Sequence, residues 1–304
     1  MHLHSRALWN FEEIRRAGSI RAAARRLHLS SSALNRQLLE LEAEFGRPLF
    51  ERLSGGLKVT PEGEVLSRHV ITMIQDAQRM EGELGSLRSV SQGSVEIATV
   101  ESLTSDFMPY VLQQMRLQYP AVELTVRTAT SSRAAAMVAE GIADLAICFL
   151  RHRTQDLKQL VVGRFDLGIA AVSGHPLSNR KAVSFEECLA YPMILPTEEL
   201  SIFEEIAPLL SVSPDSLKVA LRTGSLELIR RLAVQGQGIA LVNSFGIERE
   251  LQDGKLVHVP LTNAATNLGI YTRAQRVLPH AVEVFLNFAS AELRRRAEGG
   301  LRRA

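Results

Sequence analysis

The 304-residue chain is poor in cysteine: only Cys148 and Cys188 occur, far apart and in unlike surroundings. That excludes a disulfide framework and a paired-cysteine metal site. Cys148 lies in the apolar run LAICF, where it reads as a small buried hydrophobe. Long apolar runs are also missing. No stretch approaches the roughly 18 residues that mark a membrane-spanning helix. The start MHLHSRALWNFEEIRR has neither the apolar segment nor the cleavage site of a secretory signal. A cytoplasmic protein with no membrane partner is expected. Catalytic signatures are lacking too: no GxSxG, HExxH or phosphate-loop pattern appears, and the eight histidines show no ligand spacing. In QGQGIAL, Leu241 stands where a dinucleotide loop needs its third glycine, and the pair follows a helix, so both glycines read as turn residues. Cys148 and His152 could meet at a strand end, but no metal is expected there. The chain is thus read as carrying no catalytic residues, no metal and no cofactor.

What is present is an ordinary globular composition, 46% hydrophobic and 22% charged, at a length that favours two or three domains. The net charge of +2 says little, but its distribution says more. Residues 1–60 hold ten Lys and Arg against six Glu, and four of those Glu follow residue 39. The stretch 15–36 is therefore strongly basic, which suits a polyanion as well as a solvated face.

Leu8, Phe11 and Ile14 repeat at helical spacing until Gly18, and Ser19 can cap a second helix through Ala22–Ala24 to Leu27. From Ser30 the pattern is helical again, with Ala33, Leu34, Leu38, Leu41 and Phe45 on one stripe and Gly46 as terminator. Two short strands follow, around Leu49–Arg52 and Leu57–Val59, joined by Ser54, Gly55 and Gly56. This is a wing after a helical trio. Thr60 and Pro61 then open a long helix. Its residues Leu66, Val70, Met73, Ala77, Met80, Leu84 and Leu87 alternate in steps of four and three, the seam of a two-helix coiled coil. Past residue 93 strands and helices alternate. Strands are expected at Val95–Val100, Val122–Val126, Leu145–Phe149, Leu167–Val172, Met193–Leu195, Val219–Arg222, Ile239–Asn243, Val257–Leu261 and Leu268–Tyr271. Helices are expected at Phe107–Tyr119 and Ser225–Gln235. This α/β pattern predicts two smaller sheets with a cleft between them.

A helix lying in a DNA major groove needs short polar side chains in its first turn and a basic residue one turn on. SSSALNRQ supplies both. Ser30 can cap, Ser31 and Ser32 occupy the first turn, Asn35 can pair with an adenine edge, and Arg36 can reach guanine or phosphate. A capped surface helix would explain the serines, but not the basic helix before it or the wing after it.

Residues 8–63 closely resemble the LysR-type family of bacterial transcriptional regulators. The match runs through Leu8, Phe11, Gly18, Ser19, Ala23, Ala24, Leu27, Ser30, Ala33, Arg36 and Gln37, then LELE to Gly46, PLFER ending at Arg52, and Thr60 with Gly63. Weaker matches follow at Pro120, EGIADLAI (Glu140–Ile147) and GQGIALV (Gly236–Val242). The resemblance implies a winged helix-turn-helix (3–60), a dimerising linker helix (61–90) and an effector domain (93–304). That domain would have two Rossmann-like lobes, similar to periplasmic binding proteins. Lobe II (166–267) would be inserted into lobe I (93–165 and 268–304), the chain crossing near Phe165 and returning near Asn267. It further implies a double-stranded DNA operator, a dimer that commonly pairs into tetramers, and a small-metabolite co-inducer whose identity the sequence leaves open.

On this resemblance the DNA-facing set is Arg21, Ser30, Ser31, Ser32, Ala33, Asn35, Arg36 and Gln37, with Arg52 and Lys58 of the wing at backbone or minor-groove positions. The family usually carries Gln then Pro where this chain has Ser31 and Ser32, and Ser where it has Asn35, so base preference should diverge there. The effector set maps to Ser102, Thr104, Thr130, Ser131, Phe149, Thr197 and Ser225. Hydroxyls and N–H groups at helix starts suit an anionic ligand, though each hydroxyl equally suits a plain helix cap. A solute-binding or enzymatic α/β protein with an N-terminal oligomerisation module is the competing reading.

Overall fold

Ser19 accepts the Ala22 N–H at 3.1 Å and Ser30 accepts the Ala33 N–H at 3.2 Å, so two short polar residues set where the second and third helices begin. The computed structural model describes residues 6–53, 56–86, 93–150, 155–212 and 216–301. It divides into two units, Met1–Leu84 and Gly85–Ala304. In the first unit, α1 (Arg6–Ala17), α2 (Ile20–Arg26) and α3 (Ser31–Phe45) precede the antiparallel pair β1 (Phe50–Leu53) and β2 (Gly56–Val59). Helix α4 (Pro61–Ser86) follows. Phe11, Ile14, Ala23, Ala24, Leu34, Leu38 and Leu41 close a core with Leu49, Phe50 and Val70. Each such large apolar side chain contributes about 1.5–3 kcal/mol by leaving water.

The wing is anchored twice. Glu42 of α3 accepts the N–H groups of Leu49 and Phe50 at 2.7 and 3.2 Å. Leu57 donates to the Gly18 carbonyl at 2.8 Å. Gly56, at φ +138°, passes so close to that carbonyl that a Cβ would stand 2.6 Å from its oxygen, so a side chain there would push the wing off the turn. Thr60 caps α4 through the Gly63 N–H at 3.0 Å and donates to the Pro48 carbonyl at 2.8 Å.

The linker stripe divides along its length. Leu66 and Val70, together with Ile74, pack on the first unit's own core, because the helical trio lies beside the opening turns of α4. That stretch of the coiled-coil seam is used within the chain. Met73, Ala77 and Met80 are half-buried. Leu87 and the side chain of Leu84 lie outside the described residues, as do Ser54 and Gly55.

The second unit alternates as expected. It begins with β3 (Gly93–Thr99), the one-turn 3-10 segment Glu101–Leu103, α5 (Phe107–Gln118), β4 (Val122–Thr128), α6 (Ser131–Ala139) and β5 (Leu145–Phe149). Next come β6 (Leu157–Val172), α7 (Phe185–Cys188), β7 (Met193–Pro196), α8 (Ser201–Val212), β8 (Val219–Thr223), α9 (Leu226–Val234), β9 (Ile239–Asn243) and α10 (Glu248–Gln252). Strand β10 (Leu256–Arg273) and α11 (His280–Leu301) return the chain to the first half.

The strands form one mixed sheet in the order β4-β3-β5-β10-β6-β9-β7-β8, not two separate sheets. The physical reason is the length of β6 and β10, which pair antiparallel along both halves, with Phe165 opposite Thr266 and Arg164 opposite Asn267. The segment 262–267, read from sequence as a break between two strands, stays extended. It absorbs its irregularity in a register shift between Pro260 and Ala265, where Asn263 takes φ +61°. The side chains nevertheless collect into separate cores. One surrounds Ile97, Phe107, Leu145 and Phe285, and the others lie on the two faces of the β7–β9 half.

Candidate nucleic-acid interface and ligand cleft

On α3 the inner face is Leu34, Leu38 and Leu41, which leaves Ser32 and Arg36 exposed on the opposite face, while Ser31, one turn before Leu34, is exposed in the opening turn. Ser30 caps the helix and its hydroxyl also lies 3.2 Å from that of Ser32. Ala33 and Asn35 are half-buried on the same turns. Arg36 stands 3.6 Å from Glu40 in a solvent-exposed pair, a weak tether that DNA would readily replace. Asn35 is held from the wing, where Arg52 donates to its Oδ1 at 2.9 Å. Gln37 is half-buried and turned toward α1, accepting from Asn10 at 2.5 Å. Arg21 on α2 and Lys58 on β2 are exposed. Not all of the basic stretch is available, however. Arg15 and Arg16 are paired with Glu12, which is buried and also receives Ser67.

The second candidate site is a small cleft in the second unit. It is lined by Val100, Glu101, Ser102, Phe149, Leu200, Ser201, Ile202, Leu226, Val242, Asn243 and Phe245. These residues lie at or just beyond the carboxyl ends of β3, β5, β7 and β9 and at the start of α9, the place where open α/β sheets hold ligands. Of the seven residues expected from sequence, only Ser102 and Phe149 are in this lining. Ser131 is buried beside it and joins the two halves: its N–H donates to Ser201 Oγ at 2.7 Å, while its Oγ accepts from Phe149 N–H at 3.2 Å. Thr130 and Ser225 cap α6 and α9 by accepting from Arg133 and Leu228 N–H, both at 3.3 Å. Thr104 donates to the Glu101 carbonyl at 2.7 Å, and Thr197 donates to the Glu199 carboxylate. Those four hydroxyls therefore serve local backbone and loop structure.

Sequence reasoning missed Glu101, Ser201, Asn243 and Phe245. The strand-end rule could have found the last two, since Asn243 closes β9 and Phe245 follows it. Burial pushes the Glu101 carboxyl up from its ordinary value, opposed by a hydrogen bond from the Leu226 N–H at the first turn of α9. Behind the cleft wall, Phe245 meets Phe165, Phe149 and Phe107 edge-on with ring centroids 4.7, 5.9 and 6.5 Å away. Arg296 lies 5.8 Å from the Phe245 ring and bonds Asp106 at 2.7 Å and Glu248 at 3.0 Å, joining α11 to both halves.

Residues 5–64 match the family described as bacterial regulatory helix-turn-helix protein, lysR family, and residues 88–294 match the LysR substrate binding domain. The chain belongs to the LysR family. It is a DNA-binding transcription regulator with an effector-binding domain. Among its relatives, the RuBisCO operon transcriptional regulator of Allochromatium vinosum is 26% identical over 97% of this chain and 98% of its own length. Two solved LysR-type structures share the fold. Full-length OxyR of Pseudomonas aeruginosa has TM-score 0.68 and 18% identity, covering 95% of each chain. Full-length LysG of Corynebacterium glutamicum with bound effector Arg has TM-score 0.65 and 18% identity, covering 95% and 97%. Among the described residues of this LysR chain, no helix is long and apolar enough to cross a membrane, and no group of three His, Cys, Asp or Glu side chains is placed to hold a metal. His152 lies outside the described residues.

Proposed function

We propose that this regulator acts in the cytoplasm as a homodimer joined along α4 through Met73, Ala77 and Met80, with dimers pairing into tetramers on a two-part operator. Residues 3–60 read the DNA, residues 61–90 hold the dimer, and residues 93–304 bind the effector. Helix α3 enters the major groove with Ser31 and Ser32 toward the bases. Asn35 and Arg36 read base edges, and Arg21, Arg52 and Lys58 meet the backbone or minor groove. A small molecule between the lobes changes the operator contacts by binding one lobe arrangement more tightly; about 1.4 kcal/mol of difference shifts operator affinity tenfold.

The observation that carries this reading is the first turn of α3. Ser31, Ser32 and Arg36 are exposed there, while Leu34 and Leu38 fix the helix from behind and Arg52 reaches Asn35 from the wing. The test is a gel-shift titration of the purified full chain on DNA upstream of its own and neighbouring genes, in a salt series and with a metabolite panel. Binding that is sequence-selective, salt-sensitive and altered by at least one metabolite is expected. Binding that is absent, or equal on unrelated DNA, rejects the proposal.

A further inference from the structure

The anionic ligand expected from sequence does not suit this cleft. The natural seat for it, the first turn of α9, already faces a carboxylate: Glu101 lines the cleft together with Leu226, whose backbone N–H favours the charged form of Glu101, and Ser225 Oγ accepts the N–H of Leu228. A ligand carboxylate would have to sit beside Glu101. Glu101 is also the one charged residue in the lining among the described residues. The side chains next to the lining add further negative charge. Glu199, held by Thr197, lies where a Cβ on Gly224 would meet its Oε2 at 3.2 Å, just before the α9 cap, and Glu204 accepts from Ser132 at 2.8 Å. The arginines on the helices that open here are paired, Arg133 with Glu140 and Arg230 with Glu227 and Glu250. The rest of the lining is mostly apolar: Phe149, Leu200, Ile202, Leu226, Val242 and Phe245.

We infer that this cleft takes a small ligand with a protonated amine or other cationic head seated on Glu101 and a short apolar body against Phe149, Ile202 and Phe245. The inference rests on reading the cleft as the effector site. A cation there would replace the water that burial takes from the carboxylate, whereas an anion would add a second uncompensated charge.

The experiment follows thermal unfolding of the full chain in pentylamine, phenethylamine and agmatine against hexanoate, 3-phenylpropionate and glutarate, at matched ionic strength and neutral pH. At least one amine should raise Tm saturably and the carboxylates should not. In Glu101→Gln the half-saturating amine concentration should rise about tenfold or more, as for a lost charge-assisted hydrogen bond. Glu101→Asp, which keeps the charge, should keep the preference for amines even if Glu101→Gln fails to fold. A carboxylate that stabilises the wild type as well as the amines do, no response to any amine, or equal amine binding by Glu101→Gln overturns the inference. Operator affinity is measured in parallel. An amine that binds without changing it leaves the ligand class standing and removes the effector reading. A carboxylate that binds and changes it overturns the class and keeps the effector reading.

Discussion

The residues that face DNA in our reading, Ser30 to Arg36 with Arg52 and Lys58, fall within one short stretch of chain. The cleft is gathered from segments around residues 100, 149, 200, 226 and 243. The first surface is exposed and polar over a continuous apolar frame, whereas the second is mostly buried and apolar around one carboxylate. The difference teaches where physics is local. Capping, helical periodicity and turn chemistry act over a few residues, so they position Ser30, Gly46 and Thr60 without help from distant chain. The cleft is positioned by strand order, and strand order is a property of the whole sheet.

The most severe test of that contrast strikes α4, the element that doubles the local surface in our proposal. Met73→Glu puts a charge on the half-buried middle of α4, beyond the turns that Leu66 and Val70 use for the chain's own core. The dimer should fall to monomer by light scattering, and operator affinity should drop about 10²-fold or more as bivalent binding is lost. An unchanged mass would mean that the dimer seam lies elsewhere.

Next in size is a matched pair of truncations, one in each unit. Phe11→Ala removes the ring packed 5.2 Å from Phe50, and Phe245→Ala removes the ring that meets Phe149 and Phe165 at the cleft. Each should cost about 3–5 kcal/mol. Calorimetry should place the loss from Phe11→Ala in the DNA-reading unit, and operator binding should vanish with it. Phe245→Ala should lower the other unit's transition and weaken ligand binding with much less effect on DNA. One transition lowered equally by both would show that the units unfold together.

Legibility from sequence follows the same division. The three helices, the wing and the start of α4 are readable because Ser19, Ser30, Thr60, Gly18 and Gly46 punctuate an unbroken apolar stripe. Leu145–Phe149 and Ile239–Asn243 are readable as buried apolar runs bounded by turns. The opening of β6, residues 157–166, and the join in β10 are not. The first has no regular burial period over residues 157–162, and the second passes through an Asn at φ +61°, which reads locally as loop. At the cleft, Thr130 and Ser225 carry one signal for two roles, since a hydroxyl that opens a helix looks the same whether it binds a ligand or the next turn. Glu101 has no signal at all, because its partner Leu226 becomes a neighbour only after the sheet closes.

Two charges on the local surface should separate reading from holding. Arg36→Ala should weaken operator binding about tenfold and reduce base discrimination, as for a base-edge contact of roughly 1–3 kcal/mol. Lys58→Ala should weaken binding on all sequences alike and lower the salt dependence by about one unit. The measurement is a salt-series titration on the operator and on single-base variants. Identical discrimination by wild type and Arg36→Ala would move base reading to other residues of α3.

The smallest effect tests how local that surface is. Asn35→Ser restores the residue usual in the family and deletes the Oδ1 that accepts Arg52 from 17 residues away. The bond is solvent-exposed, so its loss should cost only about 0.5 kcal/mol of stability. Operator affinity should fall about two- to threefold, the equivalent of about half a kcal/mol. The base preference should change far more than the affinity, because serine cannot offer an adenine edge the paired donor and acceptor of an amide. Selection from randomised operators reads this directly. If Asn35→Ser selects the same sequences as the wild type, the divergence from the family belongs to Ser31 and Ser32, and the wing holds Asn35 without influencing what α3 reads.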